Sequence, residues 1–447
     1  MKFFRQSSRL KKIIIFSLSG LIVISGLISL IIFKPNKAEA NAITATNISI
    51  SAVNTTTGKA TIKFDVTWSN SFSTTYDGKA FWDKAWIFLK YSTQGGTSGS
   101  WNHATLTTGG TITPVADGKG AFVDSSANQT VIWDYQTDGV AINSHAKIKV
   151  GAIEMVYIPE GSYTYDAGGI GTSSYNNYGA GVEVLVDDAG DVPTGAVSGW
   201  PNGFDDFYMA KYEISQGQYT DFLNTVSDSQ ASSRYDATLY NTYGYTILYT
   251  SSAAYGAKYS TTTPNRGSNF ISWDDAKAYL SWAGLRPMTE MEFEKAGRGT
   301  GNANTYPWGN TAPSTTTYTV DSGTHTKYYA NYNNQSGAKP INVGHYLSAD
   351  VTRTNAETGA SPYGVADLAG NVWEHLINCQ GTTTPLNGNG TITPPVSWPG
   401  AATGKGFRGG GWDNGSTYLR VSDRTYAGWS GAYRGSGVGL RAARAAE

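Results

Sequence analysis

The sequence predicts an α+β protein: a small all-β sandwich followed by a larger domain of short helices and long ordered loops. Three observations carry this prediction. Charged residues make up only 15% of the 447-residue chain while Gly fills 53 positions, a balance that suits strands and loops rather than helical bundles. The segment Thr61–Trp68 alternates apolar and polar side chains with a period of two, the mark of a half-buried strand. Three later segments each open on a capping-box pair followed by apolar residues at helical spacing. The length allows two or three domains.

The first element is an N-terminal segment. Lys2, Arg5, Arg9, Lys11 and Lys12 precede an uncharged, mostly apolar run from Ile13 to Phe33. That run is long enough to span a bilayer, with its basic flank left in the cytoplasm. Ala38-Glu-Ala40 resembles a signal-peptidase site. Residues 1–40 are expected to be a signal peptide or a membrane anchor. Either way residues 41–447 are exported, as a secreted or membrane-anchored cell-surface protein.

Residues 41–152 read as a β-sandwich of immunoglobulin-like type. Ile62, Phe64, Val66 and Trp68 point one way, and Lys63, Asp65 and Thr67 the other. Further strand candidates are Trp86–Tyr91, Thr130–Tyr135 and Ala146–Ile153, separated by Gly/Ser/Thr loops. His103 and His145 stand alone and read as surface or packing residues. This domain carries no chemistry and reads as a spacer or adhesive module.

Residues 153–447 form the second domain, opening with a strand and turn at Met155–Gly161. Ser215 with Gln218, Ser272 with Asp275, and Thr289 with Glu292 are capping boxes. Tyr219, Phe222, Leu223 and Val226 follow the first, Ala276, Tyr279, Leu280 and Ala283 the second, and Phe293 and Ala296 the third. After Gly297 the chain is rich in Gly, Thr and Asn and reads as loop. Such a region needs metal ions or buried Trp residues to fix it.

Several function classes drop out. A net charge of -1 provides no global field for nucleic acid, and no basic aromatic motif is present. The single cysteine, Cys379, excludes an intrachain disulfide framework and a Cys-rich zinc site, and reads as a buried, inert thiol. There is no G-x-S-x-G nucleophile elbow, and Gly435–Gly439 reads as turn glycines.

Six blocks now stand in order: Lys211-Tyr-Glu-Ile-Ser215-Gln-Gly-Gln-Tyr219, Ile271-Ser-Trp273-Asp-Asp-Ala276, Leu285-Arg-Pro-Met-Thr289-Glu-Met-Glu292-Phe-Glu294, Tyr306-Pro-Trp308-Gly309, Gly370-Asn-Val-Trp373-Glu374 and Arg408-Gly-Gly-Gly-Trp412. Together they cover roughly residues 155–447, and they resemble the formylglycine-generating (sulfatase-modifying factor) family. The resemblance implies a C-type-lectin-like fold. It also implies a structural calcium ion held by the side chains of Asp367 and Glu374 and the carbonyls of Gly370 and Val372, an all-oxygen set of the kind calcium takes. A second family site would begin at Asn331-Tyr332, but its later Asp-x-Phe element is not visible.

The resemblance also identifies what is missing. Enzymes of this family bind Cu(I) through two thiolates, a soft-ligand arrangement. The matching stretch Asn414–Arg424 contains no cysteine, so no copper and no catalytic residue is expected. The sister branch of ergothioneine-type sulfoxide synthases uses a histidine cluster with an H-x-x-x-H helix. His103, His145, His325, His345 and His375 include no such pair, and His375 reads as a packing residue.

Between Thr417 and Val438, Tyr418, Tyr426, Trp429 and Tyr433 are interleaved with Gly and Ser. That is a paratope-like composition, giving aromatic contact area at low entropy cost, and these four are the expected ligand-binding residues. Arg408, Arg420, Arg424, Arg434, Arg441 and Arg444 read as pairing with carboxylates and carbonyls for the fold. This end also resembles the variable proteins of diversity-generating retroelements, in which adenine mutagenesis diversifies a C-terminal stretch of this fold. Candidate diversified positions are Tyr418, Tyr426, Gly428, Trp429, Gly431, Tyr433, Gly435 and Val438. The leading reading is an exported surface protein that binds a protein or glycan ligand outside the cell. The alternatives are a formylglycine-generating-type oxidase or other enzyme of the superfamily, and a structural partner that keeps the fold for assembly.

Overall fold

One long pair of strands organises the molecule. In the computed structural model, which describes residues 43–142, 144–166, 183–301, 304–313, 330–347, 358–429 and 433–446, β4 (Lys79–Ser92) pairs antiparallel with β9 (Lys147–Ile158) from Asp83↔Val156 to Ser92↔Lys147. On β4, Ala85, Ile87 and Leu89 face one core while Trp86 and Phe88 face another. A strand covered on both faces reads as a continuous apolar run, which is why Trp86–Tyr91 shows no clean alternation.

These two strands lie inside an eight-stranded sheet. Its order is β15 (Arg286–Pro287), β19 (Ala442–Ala445), β12 (Phe207–Ala210), β9, β4 and β3 (Ser73–Tyr76), with β5 (Asn102–His103) and β7 (Ala121–Val123) also on β4. A four-stranded sheet, β1 (Thr44–Asn54), β2 (Lys59–Thr67), β8 (Ser126–Asp134) and β6 (Leu106–Thr107), stacks on the first face. Ile62, Phe64, Val66 and Trp68 of the β2 region meet Ile87, Leu89 and Trp133 there, while Lys63 and Asp65 face outwards, as the period of two requires. The expected boundary between residues 152 and 153 falls within β9, so the sandwich and the following region share a sheet. The signal or anchor segment expected at residues 1–40 lies outside the described residues. Among those residues no helix is long and apolar enough to cross a membrane.

Helices α1 (Gln216–Leu223), α2 (Asp228–Ser232) and α3 (Trp273–Trp282) cover the other face, while α4 (Glu290–Arg298) packs Phe293 and Ala296 with Val156, Ile158 and Met209 on the first. Ser215, Ser272 and Thr289 each accept from the backbone N–H three residues on, completing the expected capping boxes. α2 was not expected, although Ser227 and Gln230 form the same box; its five residues are too few to show a periodic face. Between the helices and the sheet, Trp86 is fully buried. Its Nε1 donates to Ala283 O at 2.8 Å, and a large-to-small change there would cost about 3–5 kcal/mol.

Among the described residues there are three smaller sheets: β10 (Tyr163–Asp166) with β11 (Glu183–Val186), β13 (Ile247–Tyr249) with β14 (Tyr259–Thr261), and β17 (Lys405–Arg408), β16 (Trp373–Ile377) and β18 (Val438–Leu440) in that order. The pair β16–β18 is parallel. The chain is thus mixed α/β and rich in sheet, with few helices.

A buried triad joins β4, β9 and the strand-to-helix turn after β12. Lys211 Nζ lies 2.7 Å from Asp83 Oδ2 and 3.4 Å from Glu154 Oε2. One cation serves two carboxylates, and burial pushes Glu154 from its ordinary 4.5 up to about 8, with Lys211 opposing that rise and Asp83 adding to it. The folded state therefore keeps a proton on Glu154 that the unfolded chain releases. Stability from this group is present below pH 4.5 and is lost as pH rises towards 8, by up to about 1.4 kcal/mol per pH unit. Denaturant unfolding from pH 5 to 8 should show that slope, and Glu154→Gln should flatten it and stabilise the protein at pH 8.

Candidate functional site

The region after α4 is positioned by close backbone approaches. Gly406 in β17 lies against the segment that carries the C-terminal aromatics, and a Cβ there would collide with the Ala427 carbonyl. That approach lets Phe407 N donate to Tyr426 O at 3.0 Å and Asn378 Nδ2 to Ala427 O at 2.7 Å. Gly410 holds φ +78, where a side chain would be strained and would also meet Leu419 and the Tyr418 carbonyl.

These contacts leave a cavity of about 250 Å³ walled by Trp373, Phe407, Tyr426, Trp429, Tyr433 and Asp413. Two of its ring pairs are arranged edge to face, Trp373–Tyr426 at 5.1 Å and 83° and Tyr426–Trp429 at 5.4 Å and 80°, and Trp429–Tyr433 is tilted at 5.8 Å and 57°. Asn414 Oδ1 fixes the inner wall by accepting from Trp373 Nε1 at 2.7 Å. Trp429 is 39% and Tyr433 53% exposed, so the outer wall is open to solvent. Of the four expected ligand-binding residues, Tyr426, Trp429 and Tyr433 line this cavity. Tyr418 lies behind Tyr426, stacked on it at 6.1 Å, with its edge to Trp373. Gly435 and Val438 also line the cavity, whereas Gly431 lies outside the described residues. Sequence reading missed Trp373, Phe407 and Asp413 as wall residues, because strand pairing rather than spacing brings them to Trp429.

Asp367, Gly370, Val372 and Glu374 lie in and around the turn entering β16. Glu374 Oε1 accepts from Arg441 Nε and Nη2 at 2.8 and 2.6 Å, while its Oε2 is buried without a hydrogen-bond partner. Asp367 accepts from Gly344 N. Glu213, which sequence reading did not single out, accepts from Val372 N at 2.9 Å and from the Asn371 side chain. It stands in the first family block, but nothing in spacing links residue 213 to residue 372.

Burial pushes all three carboxyls up, Glu374 to about 7 and Glu213 well above the usual carboxylate range, with Arg441 opposing the shift. Asp367 and Asn371 also hold positive φ, 57° and 62°, a conformation that must be held in place by its surroundings. Among the described residues no group of three or more His, Cys, Asp or Glu side chains is arranged to hold a metal ion. The expected set would instead use two carboxylates and two carbonyls. The orphaned Glu374 oxygen and the surplus of three carboxylates over one guanidinium fit a hard cation.

The remaining candidates are structural in their surroundings. Cys379 is buried, with its N–H donating to Glu290 Oε1 at 2.7 Å and its Sγ 3.5 Å from the Tyr165 hydroxyl. Burial, with Glu290 beside it, pushes the thiol well above its ordinary range. His375 Nε2 lies 2.9 Å from Ile271 O, and burial pushes its pKa down to about 3, so the ring is neutral and donates to that carbonyl. A thiol reagent at pH 8 should modify the native protein roughly a hundredfold more slowly than the denatured chain, because the thiolate forms only on opening. Equal rates would mean that Cys379 is reachable.

Residues 143–446 match the sulfatase-modifying factor enzyme 1-like domain. A formylglycine-generating enzyme of Thermomonospora curvata is 34% identical over 116 residues, which are 26% of this chain and 34% of that protein. The inactive Cα-formylglycine-generating enzyme 2 of Bos taurus is 36% identical over 110 residues, 23% of this chain and 30% of that protein. The chain thus spans about a third of the length of these curated relatives. Treponema denticola variable protein 1 aligns in structure with a TM-score of 0.36 and 16% identity, over 69% of this chain and 98% of that one. Because the domain match takes in well over half of the sequence, the chain belongs to the sulfatase-modifying factor enzyme 1-like family.

Proposed function

We propose that this chain is an exported ligand-binding protein that uses the aromatic cavity of its C-terminal loops, and not an oxidase of the formylglycine-generating type. The observation that carries this reading is the composition of the cavity wall. It presents exposed Trp429 and Tyr433 to solvent, while the only thiol in the chain is buried elsewhere beside Glu290. Two-thiolate copper chemistry has no ligands here. On this reading the domain adopts a C-type-lectin-like fold, and the immunoglobulin-like sandwich holds it away from a membrane or wall. Wall positions such as Trp429 and Tyr433, both exposed, are where retroelement diversification would change ligand choice without disturbing the core, since exposed side chains contribute little to packing.

A calcium ion would be held by the Asp367 and Glu374 carboxylates with the Gly370 and Val372 carbonyls. It would neutralise the buried carboxylate surplus and fix the turn that carries Trp373. Chelation should lower Tm by about 5 °C and calcium should restore it. Asp367→Asn with Glu374→Gln should remove the response, and an unchanged Tm after chelation would sink the calcium assignment.

Sequencing the 3′ end of the gene across a natural population tests the diversified reading. Variation confined to the codons for 418–438 supports it, and a fixed sequence removes it. The competing enzyme reading predicts oxidation of a Cys-bearing sulfatase peptide by the purified protein. Turnover would favour that reading over ours.

A further inference from the structure

The cavity has a charge character as well as an aromatic one. Asp413 borders its floor: a Cβ placed on Gly437 would stand 3.2 Å from Asp413 Oδ1, so the missing side chain at 437 leaves the carboxylate facing the space. Among the described residues Asp413 forms no ion pair and accepts no side-chain hydrogen bond. The neighbouring cations are committed elsewhere. Lys405 Nζ donates to Trp429 O at 3.0 Å, and Arg434 makes a two-pronged contact with Asp275 at 2.7 and 2.9 Å. Five aromatic residues, Trp373, Phe407, Tyr426, Trp429 and Tyr433, and the Asp413 carboxylate thus line the same volume, and among the described residues no cation lines it.

Aromatic faces carry negative potential and attract ammonium groups, most strongly when several rings surround one charge. A carboxylate at the edge adds Coulombic attraction that a neutral ligand would not feel. A cavity of this size has room for a trimethylammonium head. Resting on the reading of this cavity as a ligand site, we propose that it selects an alkylated ammonium group, with Trp373, Tyr426, Trp429 and Tyr433 as the cage and Asp413 as the counter-charge.

The full chain would be titrated with choline chloride, with its neutral isostere 3,3-dimethylbutan-1-ol, and with methyl α-mannoside, following tryptophan fluorescence and heat. The expected result is saturable choline binding, with the neutral isostere at least about tenfold weaker. Asp413→Asn and Trp429→Ala should each weaken choline by about tenfold while leaving Tm unchanged, since both side chains are exposed. Equal affinity for choline and its isostere, with Asp413→Asn silent, would overturn the ammonium inference and leave a neutral binding site. Binding of the sugar alone, lost in Trp429→Ala, would likewise overturn it and keep the binding reading. If none of the three binds, the ammonium inference falls, and the broader reading is decided separately by the population sequences.

Discussion

Arg441 holds the structure together. It sits between β18 and β19, buried, and reaches three other segments. It donates to Glu374 in β16 through Nε and Nη2, to Ala210 O at the end of β12 and to Ala366 O, each bond between 2.6 and 2.8 Å. The large sheet, the three-stranded sheet and the turn carrying Asp367 are thereby pinned to one planar group. A guanidinium suits this task because its donors lie in a fixed fork, which a lysine lacks. Removing one partner of such a pair would leave a buried charge uncompensated, at a cost of about 3–5 kcal/mol.

The same device recurs wherever hydrogen-bond ladders are short. Glu294 Oε1 on α4 accepts from Arg408 at 2.6 Å and from Arg424 at 2.9 Å, joining the helix to β17 and to the segment before Tyr426. The Arg424 guanidinium lies 4.5 Å over Tyr165, and that of Arg444 4.5 Å over Trp86 while it bonds Gly284 O. Buried arginines with carboxylates and carbonyls do here what strand pairing does in the N-terminal sandwich. A rigid frame of this kind permits a variable or adaptable wall, because Trp429 and Tyr433 stand outside the network.

Much of the frame was legible in the sequence. The alternation of Ile62 to Trp68, the capping boxes at Ser215, Ser272 and Thr289, and the pairing role of Arg408, Arg424, Arg434, Arg441 and Arg444 all follow from local pattern and residue chemistry. What was not legible involves partners far apart in the chain. Glu213 meets residues 371 and 372, Asp83 and Glu154 share Lys211, and Trp373 joins Tyr426. Nothing in spacing records such contacts.

The sequence by itself determined the family of the protein and that the chain carries a single cysteine. One cysteine cannot form a thiolate pair, and six ordered blocks place the chain in its family. Only the tertiary structure decided that β9 runs through the expected domain boundary, that the cysteine is buried, and that the exposed aromatics close around a cavity with Asp413 at its edge. The physical reason is that composition and periodicity act within a few residues of chain. A cavity is built by side chains that strand register and close glycine contacts bring together from distant positions.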